Sequence, residues 1–434
     1  MSSAEPVEAE QEVRSGLRAS IAAFRHRNFA LFWSGALVSS TGGWVQNVTI
    51  PYLVYQLTES ETWVGFAAFS MLITAAVLGP VGGSLADRFD RRRVLLVTQA
   101  AQAAVALGLW AMWVAGVRSP GAIVALAALS GAFAGLMIGS WQAFVSELVP
   151  REVLLNAVTL NSAQFNAARA FGPAIGGIVL ATLGPAWGFF INAVSFLAVI
   201  GALLAMRLDR VVEKATGRMQ VLGDLKETVR YVFRSPGIRT CLIVVAGLSF
   251  ADSPLFQFVV VFAEEVFHVD TWVFGVLSAA LGIGAILGTP FIAGWGATLP
   301  RRQLVTVAMA LNGLSLVLFA HSPSAWVGFF FLMGAGAGYL AIASSLNTTI
   351  QLQVDELMRG KVLSFYVLGV TLVAPIGALL QGVLVNAIGP RAAFTIAGVA
   401  FLGLLVVLRA KGVLRHLDAE TAHDAVPVPT EVPG

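Results

Sequence analysis

The sequence predicts an all-α membrane protein with twelve transmembrane helices in two pseudo-symmetric six-helix bundles. Of its 434 residues, 57% are hydrophobic and only 12% are charged, and the mean hydropathy is +0.81. A soluble domain needs far more polar surface than this. The apolar residues fall into segments of roughly 20 residues, the length at which an α-helix crosses a ~30 Å hydrocarbon core. We therefore expect a multi-pass protein of the cell membrane.

Charged residues, glycine and proline divide the apolar sequence into twelve predicted spans. The spans cover residues 29–57, 62–86, 94–117, 120–145, 157–182, 185–207, 237–262, 271–298, 303–321, 324–352, 360–388 and 390–410. One long charged stretch separates six spans from six, and we expect it to form a cytoplasmic linker with a short amphipathic helix. The predicted organisation is a disordered leader at 1–28, an N-terminal bundle at 29–207, the linker at 208–236, a C-terminal bundle at 237–410 and a disordered tail at 411–434.

Lysine and arginine set the predicted orientation, because they are retained on the cytoplasmic side during insertion. With the N-terminus in the cytoplasm, every lysine and arginine except Arg118, Arg169 and Arg391 falls on the cytoplasmic side. Both termini are therefore predicted to be cytoplasmic. The net charge of +3 follows from this bias, so it does not favour a nucleic-acid partner. The polar leader lacks the features of a cleaved signal peptide, and the single cysteine excludes an intramolecular disulfide.

The two halves of the sequence resemble each other. Aligning Arg92-Arg93 with Arg301-Arg302 places Gly79 opposite Gly288, each ahead of a basic loop between the second and third spans of its half. A second register aligns the prolines of the two fifth spans. Duplicated bundles are typical of carriers in which two halves enclose one midplane site.

The loop between spans two and three carries the most specific pattern. Residues 79–93 read Gly-Pro-Val-Gly-Gly-Ser-Leu-Ala-Asp-Arg-Phe-Asp-Arg-Arg-Arg. This resembles the loop signature of the major facilitator superfamily, Gly-x-Leu-Ala-Asp-Arg-x-Gly-Arg-Arg/Lys, with Asp90 where the pattern prefers glycine. The resemblance implies the major facilitator fold and secondary transport of a small molecule across the bilayer.

Within this loop the sequence suggests a gate. The predicted gating residues are Asp87, Arg88, Arg91, Arg92 and, at the end of span four, Glu147. Asp87 can cap a helix N-terminus, and the arginines can pair with Glu147. The second half has Gly296 in place of the aspartate, so we hypothesise a one-sided latch that holds the bundles together on the cytoplasmic side in the outward-facing state. The alternative is a row of arginines that only fixes orientation.

Span five contains Gly172, Pro173, Gly176 and Gly177 in a Gly-Pro-x-x-Gly-Gly pattern. It is similar to the fifth-helix motif of exporters in the superfamily, and that similarity implies efflux and a smooth face against the other bundle. The alternative is ordinary small-residue packing. Residues 156–197 and the Thr-Gly-Gly-Trp-Val-Gln segment at 41–46 resemble the branch that includes the enterobactin exporter and macrolide efflux proteins, and the resemblance covers about residues 24–410.

Two charged residues lie near the middle of predicted spans, Arg169 in span five and Asp252 in span seven. A charge at this depth costs several kcal/mol or more unless it is paired or hydrated. In the superfamily, helices one, four, seven and ten line the cavity, so Asp252 is the better candidate for a group that exchanges protons. The alternative is that Asp252 and Arg169 neutralise each other as a structural pair.

Polar and aromatic residues on the predicted lining helices suggest an amphipathic cavity for a bulky, mostly neutral organic substrate. These candidates are Gln46, Asn47, Trp141, Gln142, Gln257, Tyr339 and Asn347. For each of them taken singly, hydrogen bonding between helices is the competing interpretation.

The sequence contains neither a phosphate-binding Gly-x-x-x-x-Gly-Lys-Ser/Thr loop nor a zinc-type His/Cys cluster. We therefore expect no enzyme activity, no ATP, no metal and no cofactor, with a proton gradient as the energy source. The predicted function is export of a hydrophobic or amphipathic small molecule, such as a drug or siderophore, by a bacterial monomer through proton antiport. An uptake symporter or facilitator of the same fold, and a non-transporting receptor or assembly factor, remain alternatives.

Overall fold

The computed structural model describes residues 21–207, 221–252, 254–354 and 356–418. The N-terminal half contains α1 (Arg27–Thr58), α2 (Glu61–Arg88), α3 (Arg91–Val114), α4 (Pro120–Glu147), α5 (Leu154–Thr182) and α6 (Pro185–Ala205). The C-terminal half contains α7 (Val221–Arg234), α8 (Pro236–Asp252), α9 (Leu255–Val261), α10 (Thr271–Ala293), α11 (Arg301–Ala320), α12 (Ala325–Gln353), α13 (Glu356–Ile388) and α14 (Pro390–Ala410). A π-helical turn, Phe262–Val266, extends α9.

The membrane-spanning helical fold is confirmed. Ten helical segments of the described chain are long and apolar enough to cross a membrane. Helices α1 and α5 have sufficient length but are more polar, because α1 contains Gln46 and Asn47 and α5 contains Arg169 and several asparagines. Together with these two, the ten segments correspond to the twelve predicted spans.

The chain divides into two compact units. Unit 1 comprises Met1–Ile50 and Thr74–Ala215, and unit 2 comprises Pro51–Ile73 and Thr216–Gly434. The division passes through α1 and α2, so residues 51–73 belong to unit 2, where Tyr55 donates to Oε1 of Glu265 at 2.5 Å and Gln56 donates to Oε1 of Glu264 at 3.0 Å. The predicted bundle boundaries at 207 and 237 stay predictions.

Corresponding helices pack alike in the two units. In unit 1, α3 packs against α4 and α6, and in unit 2, α11 packs against α12 and α14. Glycines allow close approach in both: a Cβ added at Gly82 of α2 would lie 2.5 Å from the carbonyl oxygen of Gly135 in α4, and one added at Gly284 of α10 would collide with the Met333 carbonyl of α12. The internal repeat is thus visible in the packing within each unit.

The sixth helix of each half begins in the same way. Gly184 precedes Pro185 with φ of 85°, and Gly389 precedes Pro390 with φ of 81°. Positive φ favours glycine, and proline suits the first helical position because its missing N–H has no partner there.

Parts of the predicted leader and tail are ordered. A 3₁₀ turn at Ala22–Arg25 precedes α1, and the Ala23 N–H donates to Oδ1 of Asn156 at 2.9 Å. Residues 411–418, predicted as disordered, include a 3₁₀ turn at Val413–Leu417 that packs on unit 2 because Leu414 and Leu417 are buried. The linker contains the predicted helix, α7, while residues 1–20, 208–220 and 419–434 lie outside the described part of the chain.

Candidate functional site

The predicted seventh span is broken at its middle. Helix α8 ends at Asp252 and α9 begins at Leu255, with Pro254 between them. Proline has no N–H, so it cannot donate to the carbonyl of Phe250 four residues earlier, and the helical ladder is interrupted there. A break of this kind within a membrane is tolerated where other groups satisfy the freed backbone.

Gln381 of α13 supplies the missing donor. Its Nε2 donates to the Phe250 carbonyl at 2.9 Å and to the Ala251 carbonyl at 3.3 Å. The Gln381 side chain is itself buried. This amide therefore holds α13 against the broken end of α8 and stabilises the break.

Asp252 lies at the same break and is only 5% exposed. Nδ2 of Asn312, on α11, donates to Oδ1 of Asp252 at 3.1 Å and to the Ala335 carbonyl of α12 at 2.9 Å. One buried amide thus connects the carboxyl group with two helices of unit 2. We call Asp252, Asn312 and Gln381 the buried polar cluster.

The buried polar cluster has spare acceptors. Oδ1 of Asn312 and Oε1 of Gln381 are buried and accept no hydrogen bond from the described part of the chain. A buried acceptor without a donor costs free energy, about 1 to 3 kcal/mol for a typical group. Each of these two oxygens is therefore available to a further hydrogen-bond donor.

The predicted gate residues lie at one end of unit 1. Arg91, at the start of α3, forms an ion pair with Glu147 at the end of α4, and its Nε donates to the Ala86 carbonyl at 3.2 Å. Arg92 donates to the Leu204 carbonyl of α6 at 3.2 Å. The two arginines therefore connect the ends of α2, α3, α4 and α6.

The aspartates of this loop differ in what they contact. Asp90, and not Asp87, caps α3, because Oδ1 of Asp90 accepts from the Arg93 N–H at 2.8 Å. Asp87 and Arg88 are exposed at the end of α2. Asp90, at the position where the family pattern prefers glycine, is therefore the N-cap of α3. An aspartate at an N-cap typically accepts from a backbone N–H two or three residues later.

The glycines of the exporter-like motif lie on α5 and are buried together with Pro173. A Cβ added at Gly172 would collide with Trp44 of α1, and one added at Gly176 would collide with Val48. Gly172 and Gly176 therefore allow close packing of α5 on α1 within unit 1. Gly177 is buried on the same helix.

The remaining N-terminal candidates are divided between packing and exposed positions. Gln46 is buried and accepts from Nδ2 of Asn192 at 2.8 Å, so it joins α1 to α6. Trp141 packs on Phe32 with ring centroids 4.7 Å apart. Asn47 is half-buried and Gln142 is exposed.

In the C-terminal half, Gln257, Tyr339 and Asn347 are half-buried. Asn347 accepts from Nε2 of Gln351 on its own helix at 2.5 Å. Arg169 is half-buried on α5 and belongs to unit 1, whereas Asp252 belongs to unit 2.

Several contributors escaped the sequence interpretation. Asn312 and Gln381 are amides within apolar spans, a signal that was available, and Pro254 indicated the break beside Asp252. The partners of the two amides could not be predicted, because Asn312 binds a residue 60 positions away and Gln381 binds one 131 positions away in the chain.

The helical repeat, the broken seventh span and the charged loop between α2 and α3 define a transporter of the major facilitator superfamily. The model of the transmembrane secretion effector family matches residues 18–429, and the chain belongs to this family. The family is one of transporters and not of enzymes.

Relatives and a solved structure agree with this membership. The chain is 28% identical to the multidrug efflux pump Tap of Mycolicibacterium fortuitum, over 88% of this chain and 95% of Tap. It is 25% identical to the enterobactin exporter EntS of Citrobacter koseri, over 93% and 96%. Its fold is similar to that of a bacterial homologue of the human lysosomal transporter Spinster, with a TM-score of 0.72, 14% identity and coverage of 91% and 98%.

Proposed function

We propose that this protein exports a hydrophobic or amphipathic small molecule by alternating access, in exchange for protons. Its membership of the transmembrane secretion effector family carries the proposal. Relatives named as a multidrug efflux pump and a siderophore exporter support the direction and the substrate class.

The buried polar cluster supports proton exchange at Asp252. When Asp252 is ionised, Nδ2 of Asn312 donates to it, as the structure has it. When Asp252 is protonated, Asn312 can rotate and offer Oδ1 as acceptor for the carboxyl O–H, at the expense of the Nδ2 hydrogen bond to the Ala335 carbonyl. One amide thereby accommodates both protonation states, which is what a group that binds and releases a proton needs.

The charged loop supports a gating role for Asp87. Arg91 and Arg92 are engaged by Glu147 and Leu204 within unit 1, while the exposed Asp87 and Arg88 remain accessible to other segments of the chain. In this proposal Arg91 and Arg92 hold the loop rigid and Asp87 makes the contact that opens and closes.

Proteoliposomes test proton coupling directly. Purified protein is reconstituted, loaded with a lipophilic dye such as ethidium, and dye movement is followed with and without an imposed pH gradient. We expect a pH gradient to accelerate export by the wild type, and Asp252→Asn to abolish that acceleration while the protein stays folded.

Asp270→Asn is the matched control, because Asp270 is an exposed aspartate at the start of α10. It should export dye as the wild type does. Wild-type export that ignores the pH gradient would exclude proton antiport, and accumulation of dye in the direction of uptake would favour the symporter alternative.

A further inference from the structure

A cavity separate from the buried polar cluster lies at one end of unit 2. It has a volume of about 530 Å³ and is lined by Arg302 near the start of α11, Arg409 near the end of α14 and Arg415 in the turn that follows. Helices α11 and α14 are both long and apolar enough to span the membrane. The cavity is therefore at the boundary between membrane and water.

The chain after α14 builds one wall of this cavity. Gly412 has φ of 66° and reverses the chain, and the 3₁₀ turn Val413–Leu417 then packs back onto unit 2 through Leu414 and Leu417. Nε2 of Gln353, the last residue of α12, donates to the His416 carbonyl at 2.9 Å. Since buried contacts and a hydrogen bond hold the turn, Arg415 is placed at the cavity by the fold.

The described residues around the cavity carry more positive than negative charge, three arginines against Asp418. Asp418 pairs with Arg302, Oδ2 to Nε at 3.1 Å, and no acidic residue of the described chain is among the lining residues. Arg302 already has a carboxylate partner, so Arg409 and Arg415 supply the charge that an anion at the cavity would balance. Arginine is also the side chain that binds phosphate most specifically, through paired N–H donors.

Apolar side chains continue from the cavity along both helices. Val307, at the cavity, is 60% exposed, and Leu311 and Leu314 follow on the same side of α11. Val406 is 65% exposed on α14, and Val399 lies two turns earlier. The basic cavity thus adjoins a surface suited to acyl chains.

We propose that this cavity binds the phosphate of an anionic phospholipid, whose acyl chains lie along the exposed apolar residues of α11 and α14. Basic pockets between membrane helices at the inner surface recognise lipid headgroups by the same combination of charge and apolar contact. The ligand is a membrane component and not the transported substrate, so the proposal is independent of the proposed export.

Lipid binding is measured on the full-length protein in nanodiscs of phosphatidylglycerol or phosphatidylcholine, by native mass spectrometry and thermal unfolding. We expect more phosphatidylglycerol than phosphatidylcholine to be retained, and a higher unfolding temperature in the anionic lipid. Arg409→Gln with Arg415→Gln should reduce the preference roughly 30-fold, because each basic residue near an anionic surface contributes about 1 kcal/mol and 1.4 kcal/mol is tenfold. Unfolding in phosphatidylcholine shows that this variant still folds.

The control removes two arginines elsewhere. Arg151→Gln with Arg207→Gln changes the net charge equally at exposed positions in unit 1, and it should keep the wild-type preference. Equal loss of preference in the control would show a general surface-charge effect and overturn the proposal. No preference in the wild type, or the same stabilisation by inorganic phosphate added to phosphatidylcholine nanodiscs, would also overturn it, the latter because the site would then be one for a free anion.

Discussion

The starts of α3 and α11 occupy matching positions in the two halves, yet they are held by different means. The backbone N–H of Arg93 in α3 and that of Arg302 in α11 are aligned by the internal repeat, and each donates to an aspartate, at 2.8 Å and 2.9 Å. In α3 the acceptor is Asp90, three residues earlier. In α11 it is Asp418, which is 116 residues later in the chain.

The ion pairs near the two helix starts differ in their exposure to solvent, and the pair in unit 2 is the more exposed. Arg91 and Glu147 have side chains that are 22% and 21% exposed, whereas Arg302 and Asp418 are 46% and 28% exposed. The last residue of the fourth helix also differs: Glu147 pairs with an arginine, and Gln353 binds the turn after α14.

The two halves therefore share the need for an acceptor at the start of this helix, but different residues supply that acceptor. Each helix start needs an acceptor for its free N–H groups. Unit 1 meets the need with the family loop itself, while unit 2 has Leu299 where unit 1 has Asp90 and so recruits the chain after α14. The loop of unit 1 is thereby self-contained, and that of unit 2 depends on a distant segment.

Among these substitutions, Arg91→Ala should cause the largest loss of stability. It leaves Glu147 partly buried without its partner, so we expect a loss of about 2 kcal/mol in stability, less than for a fully buried pair. Arg302→Ala, at the exposed pair, should cost less than about 1 kcal/mol. Thermal unfolding of both variants in the same detergent measures the difference, and equal losses would remove the distinction between the two pairs.

Asp418→Ala should have an intermediate effect, with a loss of about 1 to 2 kcal/mol from the cap and the exposed pair together. Because Asp418 also fixes the turn, hydrogen exchange at residues 413–417 should become faster. His416→Ala is the control, since the side chain of His416 is exposed and the contact with Gln353 is made by its backbone. Unchanged exchange in Asp418→Ala would mean that Leu414, Leu417 and the Gln353 hydrogen bond hold the turn without Asp418.

Asp90→Ala should destabilise the protein less than Arg91→Ala or Asp418→Ala, by about 1 kcal/mol, which is typical for loss of an N-cap. Its neighbour Asp87 is exposed, so Asp87→Ala should change stability by no more than about 0.5 kcal/mol. Dye export separates the two residues: Asp87→Ala should impair export and Asp90→Ala should leave it close to wild type. The reverse pattern would assign gating to the cap.

Much of the fold was predictable, because a membrane span needs a long apolar run and such runs are visible in the sequence. The broken seventh span was not predicted as broken, although Pro254 follows Asp252 by two residues. A proline within a membrane helix can produce either a kink or a break, and here the donors from Gln381 accompany a break. The pairing of Arg91 with Glu147 was predictable from charge and span ends, whereas the exposure of Asp87 was not.

The sequence by itself determined the membrane class, the spans, the duplication and the family, since hydropathy, periodicity and the loop motif are local properties of the chain. Only the tertiary structure decided which acceptor caps α11, which amide meets Asp252, and that three arginines surround one cavity. Each of these contacts joins residues far apart in the chain, and packing between helices, which local sequence does not specify, brings them together.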